Sequence, residues 1–256
     1  MTLEKIKRKF SRMRLARLKK GARYRMGSFD FQGQEIHYSD SVSFAYTFEE
    51  IFLNRILDFE TKNPNPFIID VGANIGLVSI FCKKKYPSAE LVCIEADPLI
   101  FKLLEQNIRS FAFEQVTLIQ KAAWDKDDST LSFFGDGADG GTLLSPGSNK
   151  KGIQVNTMRL SALIVKPVDF LKIDIEGAEL VVMQEIETKL GFVQKIFIEY
   201  HSYRSKEQDL NEILNLLKAH GFLYHLEQFH PHSAKPFMQL NYFQDIHQMI
   251  GIYAWK

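Results

Sequence analysis

The sequence predicts one α/β domain, a mostly parallel sheet with helices on both faces, carrying an N-terminal elaboration. Three observations predict it. From Phe67 onward, short apolar runs alternate with helical segments, the pattern of strands joined by crossovers. A glycine-containing junction, Gly72 to Gly76, sits where the first run hands over to a helix, and an acid, Glu95, ends the second run. A length of 256 residues suits one such domain or two small ones. With 45% hydrophobic and 25% charged residues, disorder is excluded as the main state.

Residues 1–66 form the elaboration. Met1 to Arg25 hold eleven Lys/Arg against Glu4 alone, a balance of +10, while the remainder carries −9. This arm reads as a helix with Leu3, Ile6, Phe10 and Met13 on one side and Leu15 and Leu18 pointing elsewhere. Its charges continue to Arg25 with no apolar stretch after them, so a signal peptide is not expected. A hairpin follows, Ser28 to Phe31 and Glu35 to Tyr38 with Gly33 in the turn, then a helix from Phe48 to Phe59. Asn63-Pro64-Asn65-Pro66 closes the section.

Residues 67–256 form the main domain. Seven strands are expected: Phe67 to Val71, Leu91 to Ala96, Val116 to Ala123, Phe170 to Ile175, Lys195 to Tyr200, Phe222 to Glu227 and Gly251 to Trp255. Helices fall at Gly76 to Lys85, Pro98 to Arg109, Ala178 to Leu190 and Lys206 to His220. Pro98 opens its helix at a favoured first-turn position. Thr130 to Phe134 and Ile153 to Met158 read as a hairpin pair around a glycine-rich loop, Gly135 to Gly141, a turn beside the substrate mouth. The order is that of a Rossmann-type domain. No run approaches the ~18 apolar residues of a spanning helix. Cys82 and Cys93 cannot build a disulfide framework and suit a reducing compartment, so a cytoplasmic location is expected.

Ile69-Asp70-Val71-Gly72-Ala73-Asn74-Ile75-Gly76 is the strongest local signal. Glycines there let backbone approach a ligand at a helix N-terminus, beyond the carboxyl ends of the strands. Glu95 lies nineteen residues past Gly76, where an acid can accept both hydroxyls of a ribose. The motif lacks the second glycine of a dinucleotide fingerprint, since Asn74 takes its place. Asp70 at the strand end would repel a diphosphate and attract a sulfonium or amino group. Those residues favour S-adenosylmethionine over NAD.

The segments IIDVGANIGLVSIF, CIEADP and VDFLKIDIEGAELVVM followed by IFIEYH strongly resemble the FkbM family of methyltransferases, over Phe67 to His201. The resemblance implies a Rossmann-like class I methyltransferase fold, S-adenosylmethionine as donor and a hydroxyl acceptor on a sugar or polyketide. It assigns Asp70, Gly72, Asn74 and Gly76 to the methionine-end loop, Glu95 to the ribose and Ala122 to the adenine edge, with Ala73 and Ala96 also in the cofactor set. Asp174 joins this cofactor set. The chain departs from the family pattern at Met158-Arg159-Leu160-Ser161, where many relatives read T-L-D, and at Ala122, where related enzymes often place an acid.

Methyl transfer from a sulfonium is an in-line displacement, so the enzyme positions the acceptor and removes its proton. Asp174 and Glu176 follow the fourth expected strand, and Glu199 and His201 the fifth. Asp174, Glu199 and His201 suit either a divalent cation, Mg²⁺ or Mn²⁺, or a base held by an acid. Glu176 reads equally as a first-turn acid of the next helix. Lys172, mid-strand, is expected to pair with an acid. His225, His230 and His232 are too loosely spaced for a metal site, and Asp136 and Asp139 lack calcium-loop spacing.

The expected activity is O-methylation of a glycan, glycolipid or other small-molecule hydroxyl. The alternatives are an RNA or protein methyltransferase docked through the basic arm, or a cofactor-binding module without turnover. No DNA partner is expected. The arm suits an anionic membrane surface at the inner face, or packing on the acidic domain.

Overall fold

A computed structural model describes residues 12–135, 141–142, 152–243 and 245–256. Helix α1 (12–19) leads to a hairpin of β1 (Gly27–Phe31) and β2 (Gln34–Tyr38). Gln32 and Gly33 turn it with φ of 61° and 84°, the left-handed pair that matches strand twist. Helix α2 (Ser41–Phe48) is capped by Asp40, whose carboxylate accepts the Val42 N–H at 2.8 Å. The chain continues through a wider π-helical turn, Glu49–Asn54, and stops at left-handed Arg55. The helix expected from Phe48 to Phe59 therefore starts earlier, where its cap is.

Leu15 corrects the reading of the arm. It was expected to point away, yet it is 1% exposed, whereas Met13 is 51% exposed. The helix face that counts is the one meeting the phenylalanines of the hairpin and α2. Leu15 joins Phe29, Phe44 and Phe48 in one buried cluster, and the Arg14 guanidinium lies over the Phe29 ring at 4.2 Å. Leu3, Ile6 and Phe10 lie outside the described residues. Among the described residues, three of the arm's cations reach partners beyond it: Arg14 donates to the Asp30 carbonyl, Lys19 pairs with Glu49 and Arg23 with Asp40.

Strand β3 (Phe67–Val71) begins the main sheet, followed by α3 (Leu77–Lys85), β4 (Glu90–Ile94), α4 (Pro98–Ser110) and β5 (Val116–Ile119). Then come β6 (Ala122–Trp124), β7 (Thr130–Gly135), β8 (Gly141–Thr142), β9 (Ile153–Arg159) and β10 (Phe170–Ile173). Helix α5 (Glu179–Glu185), β11 (Lys195–Tyr203), α6 (Leu210–Ala219), β12 (Leu223–His230) and β13 (Ile246–Trp255) complete the chain. The seven-stranded sheet has the order β12–β13–β11–β10–β3–β4–β5, with β13 antiparallel to both neighbours. A smaller sheet has the order β6–β9–β7–β8.

The expected third strand divides. Val116–Ile119 pairs with β4, but Ala122–Trp124 pairs with Thr157–Arg159 of β9, so its backbone partners lie in the second sheet. The hairpin of β7 and β9 forms as expected. Most of the loop between them, with Asp136 and Asp139, lies outside the described residues. Helix α5 starts at Glu179, and the helix read from Ala178 to Leu190 changes to 3₁₀ geometry at Glu187–Phe192.

One core cluster covers one face of the sheet and runs unbroken into the elaboration, linking Leu15, Phe29 and Ile36 with Ile80, Leu91 and Phe197. Asn107 of α4 pins that junction. Its side chain accepts the His37 N–H at 2.7 Å and donates to the carbonyls of His37 and Ile75 at 2.9 and 2.8 Å. A second cluster fills the other face beneath α5 and α6. The chain leaves β3 toward β4 on one side, while β10 and β11 lie on the other. The crevice at the carboxyl end of β3 is thus a topological switch point, where ligands bind in open α/β sheets.

Candidate active site

Beyond β3, the loop from Gly72 to Gly76 takes left-handed φ at Gly72 (73°), Asn74 (48°) and Gly76 (90°). A Cβ on Gly72 would lie 1.8 Å from the Asp174 carbonyl oxygen, so only glycine lets this loop pass the exit of β10. The Gly72 and Ala73 N–H groups both donate to the Ile94 carbonyl at 2.9 Å, joining the loop to the end of β4.

Glu95 stands just past that end. One of its oxygens accepts the Asn74 N–H and the other the Asp97 N–H, each at 2.8 Å. A carboxylate offers about four lone-pair sites, so each oxygen keeps one for a ligand hydroxyl. Burial raises its pKa to about 7 against the two backbone donors that lower it. Ala122 belongs to a small apolar cluster with Phe133, Val155 and Ala178, and partly buried Ala96, Trp124 and Ile175 pack against it. A carboxylate braced for two hydroxyls beside an apolar wall fits a nucleoside.

Asp70 is placed otherwise than the sequence suggested. It was expected to face the ligand as a bare charge, but it is 0% exposed. The Ser79 hydroxyl donates to its Oδ2 at 2.6 Å, and Lys172 Nζ stands 3.6 Å from its Oδ1. Lys172 pairs with acids, as its position mid-strand suggested. The ammonium donates to the Gly72 carbonyl at 2.6 Å and reaches Asp174 at 3.1 Å. Burial would lower the pKa of this ammonium, but Asp174 and Asp70 outweigh it and hold the pKa above the ordinary lysine value.

Strand β11 runs to Tyr203, so Glu199 and His201 belong to the strand rather than following it. Alternation along a strand puts Glu199, His201 and Tyr203 on one face. His201 Nδ1 faces Glu179 Oε1 at 3.1 Å, and its Nε2 lies 3.5 Å from Glu176 Oε2 and 3.6 Å from Glu199 Oε1. Glu179 Oε1 also accepts the Gly177 N–H at 2.9 Å. Glu176 and Gly177 are consecutive left-handed residues, a kink that turns Glu176 back over the sheet edge. Glycine is required at 177, because a Cβ there would meet the Tyr203 ring at 2.6 Å. The Tyr203 hydroxyl bonds both the backbone carbonyl and the carboxylate of Glu176, at 3.1 and 3.2 Å.

The electrostatics follow from this crowding. Burial, then the neighbouring Asp174, raises Glu199 to about 8, and burial raises Glu176 to about 7. Burial alone would lower His201, but Glu176, Glu179 and Glu199 carry it well above the ordinary histidine value. The side chain of His201 is only 1% exposed, against 20% for Glu199 and 28% for Asp174.

The structure brings Asp174, Glu199 and His201 to one end of the sheet, as expected. Among the described residues, however, the three side chains whose ligand atoms all lie within 4.8 Å are Asp174, Glu176 and His201. Glu176 replaces Glu199 in that trio because the kink at Gly177 carries it inward. Its second reading as a first-turn acid does not hold, since α5 begins three residues later. His225 and His230 pack against the rings of Tyr253 and Phe243, and among the described residues neither they nor His232 join a ligand group. Sequence reasoning missed Glu179 and Tyr203. Their signals were present: an acid three residues after Glu176, and an aromatic two residues after His201.

A family model described as Methyltransferase FkbM domain matches residues 70–224. Methyltransferase sdnD of Sordaria araneosa is 28% identical over 190 residues, covering 60% of this chain and 73% of that protein. The 31-O-demethyl-FK506 methyltransferase FkbM of Streptomyces tacrolimicus is 22% identical over 232 residues, covering 77% and 88%. The crystal structure of Methyltransferase FkbM from Methylobacillus flagellatus KT superposes with a TM-score of 0.52 at 16% identity, over 80% of this chain and 48% of that one. The chain thus spans about half the length of that structure, and the likeness shows a shared fold.

Proposed function

The chain belongs to the FkbM methyltransferase family, and from that premise we propose that it methylates a hydroxyl of a glycan, glycolipid or other small molecule. The observation that carries the reading is the set of carboxylates around His201, with Glu199 and Asp174 open at the sheet edge. An alcohol is a weak nucleophile until its proton is taken, and such a group must stand within reach of it. Glu199 is that base. Its side chain opens to solvent, whereas His201 is walled in and acts by holding its neighbours. The name of the Streptomyces relative supports an oxygen acceptor, since it describes a substrate lacking an O-methyl group.

S-adenosylmethionine supplies an electrophilic methyl group on a positively charged sulfur. Glu95 would take the two ribose hydroxyls, and Ala96 and Ala122 would flank the adenine. Gly72, Ala73, Asn74 and Gly76 would back the methionine end. Asp70 contributes from behind, by holding Lys172 and through it Asp174. The test is incubation with methyl-labelled donor and fractionated cell extract. Label in carbohydrate, lipid or a small molecule is expected. Label in RNA or protein, or no transfer at all, overturns the acceptor.

The arm's remaining cations support a peripheral contact with an anionic membrane, where a lipid-linked acceptor would be met. Arg12, Arg17, Lys20 and Arg25 are exposed, together with Met13, Tyr24 and Met26. No helix of the described residues is long and apolar enough to cross a membrane. Sedimentation with anionic vesicles should occur at low salt and weaken as salt screens it. A protein that ignores such vesicles at low salt would remove this contact.

A further inference from the structure

We propose that Asp174, Glu176 and His201 bind one divalent cation of the Mg²⁺ or Mn²⁺ class. That the cation would hold and acidify the acceptor hydroxyl rests on the hydroxyl reading above, whereas the site itself does not.

Two observations carry it independently. The first is the convergence of the three side chains, whose ligand atoms lie within 4.8 Å of one another. A cation with ligands at about 2.1 Å sets adjacent ligand atoms about 3 Å apart and opposite ones about 4.2 Å apart. The trio is thus already near the span that one cation bridges, and small side-chain rotations would close it. The second is His201 Nε2, a buried polar atom with no hydrogen-bond partner, on a residue that is 4% exposed. It points at Glu176 and Glu199 from 3.5 and 3.6 Å, too far for good hydrogen bonds to either. With its Nδ1 proton held by Glu179, the ring can face those two anions through Nε2 only by binding a second proton or a cation. A cation between them satisfies all three.

The surroundings match a metal site beyond the ligands. Metal-bound imidazoles generally donate their other N–H to a carboxylate, which orients the ring. Glu179 does this for His201 and is itself held by the Gly177 N–H. Lys172 reaches Asp174 Oδ2 at 3.1 Å and leaves the other oxygen for the cation. The two carboxylates suit Mg²⁺ or Mn²⁺, the imidazole suits Mn²⁺ better than Mg²⁺, and no thiolate is present to select a softer ion. Asp174 and Glu176 are partly open, so the cation has a way in and positions for water or a hydroxyl. Glu199, beside the trio, is placed to take the proton released.

The test uses the full chain, stripped with chelator and desalted, without donor or acceptor. Mn²⁺ binding is read by electron paramagnetic resonance and by calorimetry. One Mn²⁺ per chain is expected, weakened at least tenfold in Asp174→Asn and in Glu176→Gln. Glu179→Gln, outside the ligand set, should weaken it by roughly 10–100-fold. Thermal melts of each variant check that it folds, and Glu176, in a partly open loop, is the safest substitution. No Mn²⁺ bound at millimolar free metal, or equal binding in Asp174→Asn and Glu176→Gln, overturns the site. The two readings fail separately. Mn²⁺ bound with no hydroxyl labelled leaves the site and removes the acceptor, while a labelled hydroxyl with no Mn²⁺ bound leaves the acceptor and removes the site.

Discussion

Glu179 and His201 meet at 3.1 Å with 2% and 1% of their side chains exposed, so a carboxylate that no substrate can touch decides which nitrogen of the imidazole faces the site. Glu179→Gln keeps the shape but loses the charge. Turnover should fall by roughly 10–100-fold, the usual effect of an orienting partner. Donor affinity measured by calorimetry should stay within about twofold, because the hydrogen bonds of Glu179 run to Ile175, Gly177 and His201 rather than to the donor loop. An unchanged kcat would show that the pair is only structural.

Glu199→Gln should cost about 10²–10⁴ in turnover, the range for a general base. Single-turnover rates separate this from product release. If the variant keeps a third or more of the activity, the proton goes elsewhere.

Glu95→Ala should weaken donor binding by ~1.5–3 kcal/mol, the value of hydrogen bonds to a charged group. Calorimetry reads this directly. The variant also frees the N–H groups of Asn74 and Asp97, so Glu95→Gln, which retains an acceptor, should lose less.

Lys172→Met leaves the buried Asp70 carboxylate without its cation. Breaking a buried pair in this way costs about 3–5 kcal/mol. Denaturant melts should show it. Asp70→Asn should likewise lower the melting temperature more than it lowers donor affinity, the reverse of what a direct ligand contact would give.

Stability should fall as pH rises from about 6 to 9. Glu95 and Glu176 titrate at about 7 and Glu199 at about 8 in the folded chain, and His201 is raised as well. In that window the native state holds protons that the unfolded chain has released, so the slope of stability with pH is negative. Each proton of difference is worth about 1.4 kcal/mol per pH unit. Melting temperatures of the protein stripped of cofactor and of divalent cations check the sign, and a flat or rising profile would refute it.

Much of the fold is legible without coordinates. Strand β3 is read to the residue, because Phe67 to Val71, apolar but for Asp70, lies between Pro66 and Gly72. The hairpin turn at Gly33 and the loop from Gly72 to Gly76 are equally plain, since glycine marks where φ must be positive. Glu95 follows from its distance along the chain, and Lys172 from the cost of an unpaired ammonium in a buried strand.

The sequence by itself thus determined the alternation of strands and helices, the family, and the end of the sheet where chemistry belongs. The alternation and the sheet end rest on local periodicity and on backbone geometry that a few residues dictate, and the family on the resemblance of its segments. Tertiary structure decided the rest. Leu15 rather than Met13 is buried because the phenylalanines of the hairpin and α2 meet that face of α1. Asp70 is enclosed because α3 brings Ser79 over it and β10 brings Lys172 beside it, from 102 residues away. Glu176, Glu179 and His201 form one cluster because a kink at Gly177 folds the start of α5 onto β11. Charge and burial act through space, and no period along the chain records which distant side chains will share it.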